Sequence, residues 1–164
     1  TADFLLTKPI SRVKILVAKL LAAMTSLTIV NFTICVATIL GTALFRGGQT
    51  VNWGVIFVLL STNIFFQLFF ISVGMFISTV VKKIPSVLSV SMGLGIGLYI
   101  VSSLGTMLSS TVFHIITPYS HFAPSYILVE GTYNWSLVWI SFVIITLSLA
   151  GSYFFYTRRN IASL

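Results

Sequence analysis

The side chains that could carry out acid–base or metal chemistry are few in this chain and far apart in its sequence. Its two carboxylates are Asp3 and Glu130, and the topology predicted below places them on opposite faces of a membrane, where they cannot act as a pair. His114 and His121 could join Glu130 in a metal site, but their spacing matches no common metal-binding motif. We therefore expect no metal site, and we expect both histidines to be polar groups at an interface.

Enzyme motifs are also absent from the sequence. It has no HExxH helix of a zinc protease, no Gly-x-Ser-x-Gly nucleophile turn and no phosphate-binding glycine loop with a lysine. The single cysteine, Cys35, rules out a disulfide within this chain and any site built from several cysteines. We expect Cys35 to be a small apolar packing residue. The sequence thus predicts a chain that is not itself an enzyme and that binds no cofactor of its own.

Long stretches without any charged residue dominate the chain. Only 7% of its residues are charged and 57% are hydrophobic, whereas soluble domains have about 25% charged residues. A helix needs about 20 apolar residues to cross the bilayer core of about 30 Å, and every charge-free run reaches that length. These runs are residues 20–45, 47–81, 84–129 and 131–157. The chain is therefore predicted to be an integral membrane protein embedded in the lipid bilayer.

Cations mark the topology of the chain. We predict an all-α, polytopic membrane helix bundle that forms one domain over residues 1–164. With the spans predicted below, eight of the nine Lys and Arg residues lie on one side of the membrane and only Arg46 lies on the other. The positive-inside rule makes the cation-rich side cytoplasmic and places both chain ends there. The net charge of +7 is thus explained by topology, and we expect no nucleic-acid partner. The four spans are predicted at about residues 18–44, 53–80, 86–107 and 135–157.

Aromatic residues support this orientation. Tyr133, Trp135 and Trp139 open the fourth span, where an aromatic belt is expected at the outer headgroup level.

The segment at residues 108–131, between the third and fourth spans, is apolar but interrupted. The charge-free run that contains it would make a helix of about 69 Å, twice the bilayer core. Pro118 and Pro124 break any continuous helix there. We expect two short re-entrant helices that dip into the outer leaflet, and a loop lying flat on the outer surface is the alternative.

Small residues line one face of the third span. Ser89, Gly93 and Gly97 recur every four residues and form a stripe that lets helix backbones approach closely in lipid. The stripe predicts a helix-packing surface. A sliding surface between moving helices, or a dimer seam, is the functional alternative.

Uncharged polar residues occur in the first two spans. Asn31, Asn63 and Gln67 would hydrogen-bond between helices or line a transport path, and we hypothesise that they face such a path. No charged side chain lies in the middle of a span, which argues against an ion-driven carrier. For a transporter, the same absence would favour an amphiphilic or lipid-like cargo.

The N-terminal segment has the pattern of a short cytoplasmic helix followed by an elbow. Phe4, Leu5 and Leu6 supply an apolar face, and Pro9 disfavours helical geometry in the residue before it. Ser11 can then cap a second helix that runs directly into the first span. An interfacial amphipathic anchor would have the same pattern.

This segment resembles a known family. The run Thr-Ala-Asp-Phe-Leu-Leu-Thr-Lys-Pro-Ile-Ser-Arg, from Thr1 to Arg12, is similar to the stretch before the third span of bacterial ATP-binding-cassette (ABC) permeases of the type-2 exporter class. The C-terminal sequence from Tyr156 to Ile161 is similar to the end of the family's last span, although Asn160 replaces the usual Asp. The resemblance covers the whole chain as spans three to six and implies two further spans upstream.

The resemblance implies a permease subunit of an ABC exporter in the bacterial cytoplasmic membrane. Residues 1–11 would be a coupling segment that docks on a cytoplasmic ATPase subunit, and that subunit would bind ATP and Mg²⁺. A second permease copy would complete a homodimer or heterodimer, and residues 108–130 would form an outer gate. The alternative is a non-transporting membrane sensor or accessory subunit. The residues implied to contact the ATPase are Phe4, Leu5, Leu6, Pro9 and Arg12.

Overall fold

The chain is a bundle of α-helices, and four of them are long and apolar enough to cross a membrane. A computed structural model describes residues 12–81 and 86–158, and within these ranges it contains seven helices and no strand. The predicted all-α bundle with four spans is thereby confirmed. The predicted coupling segment at residues 1–11 lies outside the described residues. The four long helices are α1 (Arg12–Phe45), α2 (Trp53–Val80), α3 (Val87–Met107) and α7 (Trp135–Arg158), and the three short ones are α4 (Thr111–Ile116), α5 (Pro118–His121) and α6 (Pro124–Glu130).

The first helix is longer than a membrane span. α1 has 34 residues, which corresponds to about 51 Å at 1.5 Å per residue, against about 30 Å for the bilayer core. It runs without interruption from Arg12, before the predicted start of the first span at residue 18. The prediction that a second N-terminal helix continues directly into the first span is therefore confirmed for the residues from Arg12 onward.

The most extensive helix pair in the described structure is formed by α2 and α7. Small polar residues are buried on both helices, four or seven residues apart along each of them. This spacing is typical of helices that pack at a small left-handed crossing angle, and small side chains let the two backbones come close. The buried small residues are Ser72 and Thr79 on α2 and Ser141, Ser148 and Ser152 on α7.

The predicted small-residue stripe on α3 is not used in the same way. A Cβ atom added at Gly93 or Gly97 would meet no atom within 4 Å, and Ser89 is exposed. Within residues 12–81 and 86–158, the stripe of Ser89, Gly93 and Gly97 therefore packs closely against no helix. The packing role of the stripe therefore stays a prediction, and its partner would be a helix outside these described residues.

Three short helices, rather than the expected pair, connect α3 to α7. Thr117 and Ala123 are extended, and the prolines that follow them, Pro118 and Pro124, each begin a new helix. The prediction missed one helix because each proline both ends one helix and starts the next. Gly131 closes α6 in the left-handed conformation, with φ of 70°.

The three short helices and the turn after them, residues 111–134, are anchored on α2 and α7. We call these residues the outer cap because the sequence predicts that they lie on the outer side of the membrane. Its residues Phe122, Ile127 and Tyr133 form a buried cluster with Val138 of α7, and each of the four is at most 8% exposed. The Phe65 ring of α2 packs on this cluster, stacked on Phe122 and edge-on to Tyr133. The cap is thus tied to the long helices by buried aromatic contacts.

Candidate functional site

The three predicted polar residues of the first two spans meet in the seam between α1 and α2. Asn63 Nδ2 donates to Asn31 Oδ1 at 2.8 Å, and Asn31 Nδ2 donates to Gln67 Oε1 at 2.6 Å. The three amides thus form one chain of hydrogen bonds that crosses from one helix to the other. In an apolar surrounding, such bonds hold helices together because lipid offers the amides no alternative partner.

A backbone carbonyl fixes the direction of this amide chain. Asn31 Nδ2 also donates to the carbonyl oxygen of Leu27 at 2.9 Å, and a carbonyl oxygen can only accept. This assigns the nitrogen of Asn31, so its neighbour on Gln67 must be the acceptor oxygen, and its own oxygen must accept from Asn63. The chain therefore leaves the Gln67 Nε2–H₂ group at one end and Asn63 Oδ1 at the other.

The two ends of the amide chain line two different grooves. Gln67 and Asn31 line a groove of about 290 Å³ between α1 and α2, here called the seam groove. Asn63 lines a second groove of about 290 Å³ beneath the outer cap, where it lies among Tyr119 and Phe122. The seam between α1 and α2 is therefore open on both sides of the amide chain.

Two interpretations of these residues follow from the sequence, and the geometry bears directly on one of them. Hydrogen bonding between helices, the first interpretation, is what the amides do. Both grooves also leave the amides accessible, so the second interpretation, a path lining formed by Asn31, Asn63 and Gln67, stays a prediction.

His121 is a core residue of the outer cap and not the interfacial polar group that the sequence suggested. It is 1% exposed, its Nδ1 lies 2.6 Å from Ser141 Oγ and its Nε2 lies 3.0 Å from the carbonyl oxygen of Ile115. Because that carbonyl only accepts, Nε2 carries the proton and Ser141 donates to Nδ1. Burial lowers the pKa of His121, which favours this neutral form.

The second histidine belongs to a separate hydroxyl network. His114 Nδ1 lies 3.0 Å from Ser120 Oγ, which also contacts the hydroxyls of Thr117 and Ser102. This network joins α3, α4 and α5, because each helix contributes at least one of its members. In the described part of the chain, no group of three metal-binding side chains occurs.

Two tyrosines tie the outer cap to the long helices, and the sequence did not single them out for this role. Tyr133, expected in an interfacial belt, is buried instead, and its hydroxyl donates to the Val58 carbonyl at 2.9 Å and lies 2.6 Å from Ser61 Oγ. Tyr119 donates to the carbonyl of Gly95 on α3 at 3.2 Å. The sequence does contain a signal for the Tyr119 contact. The glycines of α3 have no side chain, so their backbone carbonyls are accessible to a neighbouring donor.

The family model described as ABC-2 family transporter protein matches residues 1–161 of this chain. No curated protein and no solved structure matches this chain.

Proposed function

This chain belongs to the ABC-2 family of transporter proteins and is a permease component of an ABC transporter, and we propose that it serves export powered by a separate ATPase. The membrane would be the bacterial cytoplasmic membrane, with both chain ends on the cytoplasmic side. ATP and Mg²⁺ would be bound by the ATPase subunit, and a second permease copy would complete the transporter. The family is a membrane transport component rather than the catalytic ATPase.

The observation that carries this proposal is the uninterrupted length of α1. About 20 Å of this helix exceeds the thickness of the bilayer core, and no break separates this excess from the membrane-spanning part. A rigid helix of this kind transmits a tilt at its inner end to the side chains at its middle. Transport requires such an element with two alternative positions.

The coupling contact would be made by the segment that precedes α1. Closure of the ATPase pair would tilt this segment, and the tilt would reach Asn31 in the seam through α1. Asn31, Asn63 and Gln67 would then line the path between α1 and α2, with the outer cap as its gate. The contact residues proposed for the ATPase are Phe4, Leu5, Leu6, Pro9 and Arg12.

Copurification of the full-length protein with cytosolic ATPases tests the proposal. We expect a P-loop ATPase to copurify, and we expect its ATPase activity in the complex to be lost in the Leu5→Asp variant. The Leu5→Met variant is the matched control, since it keeps an apolar side chain and should keep the partner. If no ATPase copurifies, or if Leu5→Asp retains it, the coupling role is wrong and a non-transporting sensor or accessory subunit becomes the better description.

A further inference from the structure

The amide chain in the α1–α2 seam ends on a donor that has no acceptor. Gln67 Oε1 is occupied by Asn31, and its Nε2–H₂ group has no hydrogen-bond partner among residues 12–81 and 86–158. In the same part of the chain, no fully buried side-chain nitrogen or oxygen lacks a partner. The Nε2–H₂ group is therefore accessible, and Gln67 lines the seam groove.

The surroundings of this donor are apolar and uncharged. Gln67 lies close to the middle of α2, and the nine side chains that line the groove, all from α1 and α2, include no acid, Lys, Arg or His. An amide N–H group at membrane depth costs several kcal/mol when nothing accepts it. Phe32 and Ile64, both more than 40% exposed, extend the apolar wall beside the donor.

From the unpaired Gln67 donor and the apolar, uncharged lining around it, we propose that the seam groove binds an uncharged amphiphile through an acceptor oxygen. A carbonyl, ester or hydroxyl oxygen of the ligand accepts from Gln67 Nε2, and the apolar body of the ligand lies against Phe32 and Ile64. None of the described residues that line the groove could act as a counter-ion for a charged headgroup. A plain hydrocarbon would leave the Gln67 donor unsatisfied.

This inference rests on the proposed function, because it identifies the amphiphile as the transported cargo. The volume of about 290 Å³ is at the small end of ligand pockets, so the groove holds the acceptor-bearing part of the cargo while a longer tail extends toward lipid.

Cys35 provides a reporter inside the groove. It lines the seam groove, is partly exposed and is the single cysteine of this sequence. The full-length protein in nanodiscs is treated with a lipophilic maleimide, and the labelling rate of the Cys35 peptide is read by mass spectrometry. The probe ligand is mono-olein, whose ester and hydroxyls are uncharged acceptors. The comparison ligand is 1-octadecene, which has a long apolar chain and no oxygen.

We expect mono-olein to slow Cys35 labelling in a saturable manner and 1-octadecene to leave the rate unchanged. Gln67→Leu should weaken the protection by mono-olein about fivefold, the loss that one net hydrogen bond represents. Thr33→Val is the matched control, because Thr33 lies on α1 outside the groove lining and its hydroxyl bonds only to its own helix. Equal protection by both ligands would overturn the proposal and identify the occupant as bulk lipid.

A second variant keeps the proposal testable if Gln67→Leu does not fold. Ile64→Trp retains all three amides and fills the groove with a larger ring, so it should abolish protection by mono-olein. Unchanged protection in this variant contradicts the proposal. The labelling assay needs no ATPase, so it can be read independently of the copurification. If mono-olein protects Cys35 but no ATPase copurifies, the binding site stands and the proposed exporter function is refuted. If an ATPase copurifies but mono-olein does not protect Cys35, only the binding site is refuted.

Discussion

Gly151 of α7 lies directly against the ring of Phe76 on α2. A Cβ atom added at Gly151 would come within 2.6 Å of Cε2 and 2.9 Å of Cδ2 of that ring, so the two helices are as close here as a glycine allows. The Phe76 ring also packs edge-on against Phe155, which limits its freedom to move away. We predict that Gly151→Ala lowers the free energy of unfolding by about 1–3 kcal/mol through overpacking.

The thermal unfolding midpoint in detergent, followed by intrinsic fluorescence, measures this effect. Gly41→Ala on α1 is the matched control, because an added Cβ there meets nothing within 4 Å and alanine favours a helix over glycine. Combining Gly151→Ala with Phe76→Leu should recover part of the loss. If Gly151→Ala is as stable as Gly41→Ala, then α2 and α7 are not packed as described.

The architecture was predictable from the sequence because lipid imposes simple rules on it. Charge-free runs of sufficient length identified four spans, and the long helices occur where those runs do. Which helices pack closely was not predicted. The glycine stripe on α3 predicted close packing, whereas the observed close contact joins Phe76 of α2 to Gly151 of α7, and serines such as Ser148 are buried on α7.

The candidate site was predictable in composition but not in geometry. Asn31, Asn63 and Gln67 stood out because amides are costly in lipid, but their register across two helices depends on packing that a sequence does not specify. The direction of the amide chain depends on one backbone carbonyl, that of Leu27. The role of His121 was missed because its partner Ser141 is 20 residues away, on another helix.

Asn31 is predicted to stabilise the α1–α2 pair. Asn31→Leu removes the central amide, so Asn63 and Gln67 each lose the partner they have now. We expect the free energy of unfolding to fall by about 1–2 kcal/mol, in the range measured for hydrogen bonds between membrane helices. Thr33→Val on the exposed face of α1 should change it by less than about 0.5 kcal/mol. Equal stability of Asn31→Leu and the native protein would show that the amides contribute no net binding between the helices.

The outer cap is predicted to lose stability in acid because of His121. Burial lowers the pKa of His121 in the folded protein, whereas an unfolded histidine titrates near about 6.5. Below about pH 6.5 the unfolded chain binds a proton that the folded chain resists, so the free energy of unfolding falls as the pH falls. Above that pH the contribution is fully present. Its ring partners, the Ser141 hydroxyl and the Ile115 carbonyl, are uncharged and supply no counter-ion.

Thermal unfolding between pH 7.5 and pH 5 tests this dependence. The native protein should lose stability over that range more steeply than His121→Asn, which has no imidazole to protonate. The variant itself should be less stable at pH 7.5, by about 1–3 kcal/mol, because a buried partner is left without its bond. Identical slopes in both proteins would exclude His121 as the source of the acid sensitivity.

The glycine stripe of α3 is predicted to be a contact surface for a second permease copy. An added Cβ at Gly93 or Gly97 meets nothing within 4 Å in the described part of the chain, so a larger side chain there should leave the fold of one subunit intact. If two copies meet at this stripe, Gly93→Leu must instead separate their backbones and weaken association about tenfold or more.

The monomer–dimer equilibrium in detergent, measured by multi-angle light scattering, reports the change in association. Val112→Leu is the control, since Val112 is exposed and belongs to α4, not to the stripe on α3. Unchanged association in Gly93→Leu, with an unchanged unfolding midpoint, would assign the stripe to lipid and place the contact between copies elsewhere on the bundle.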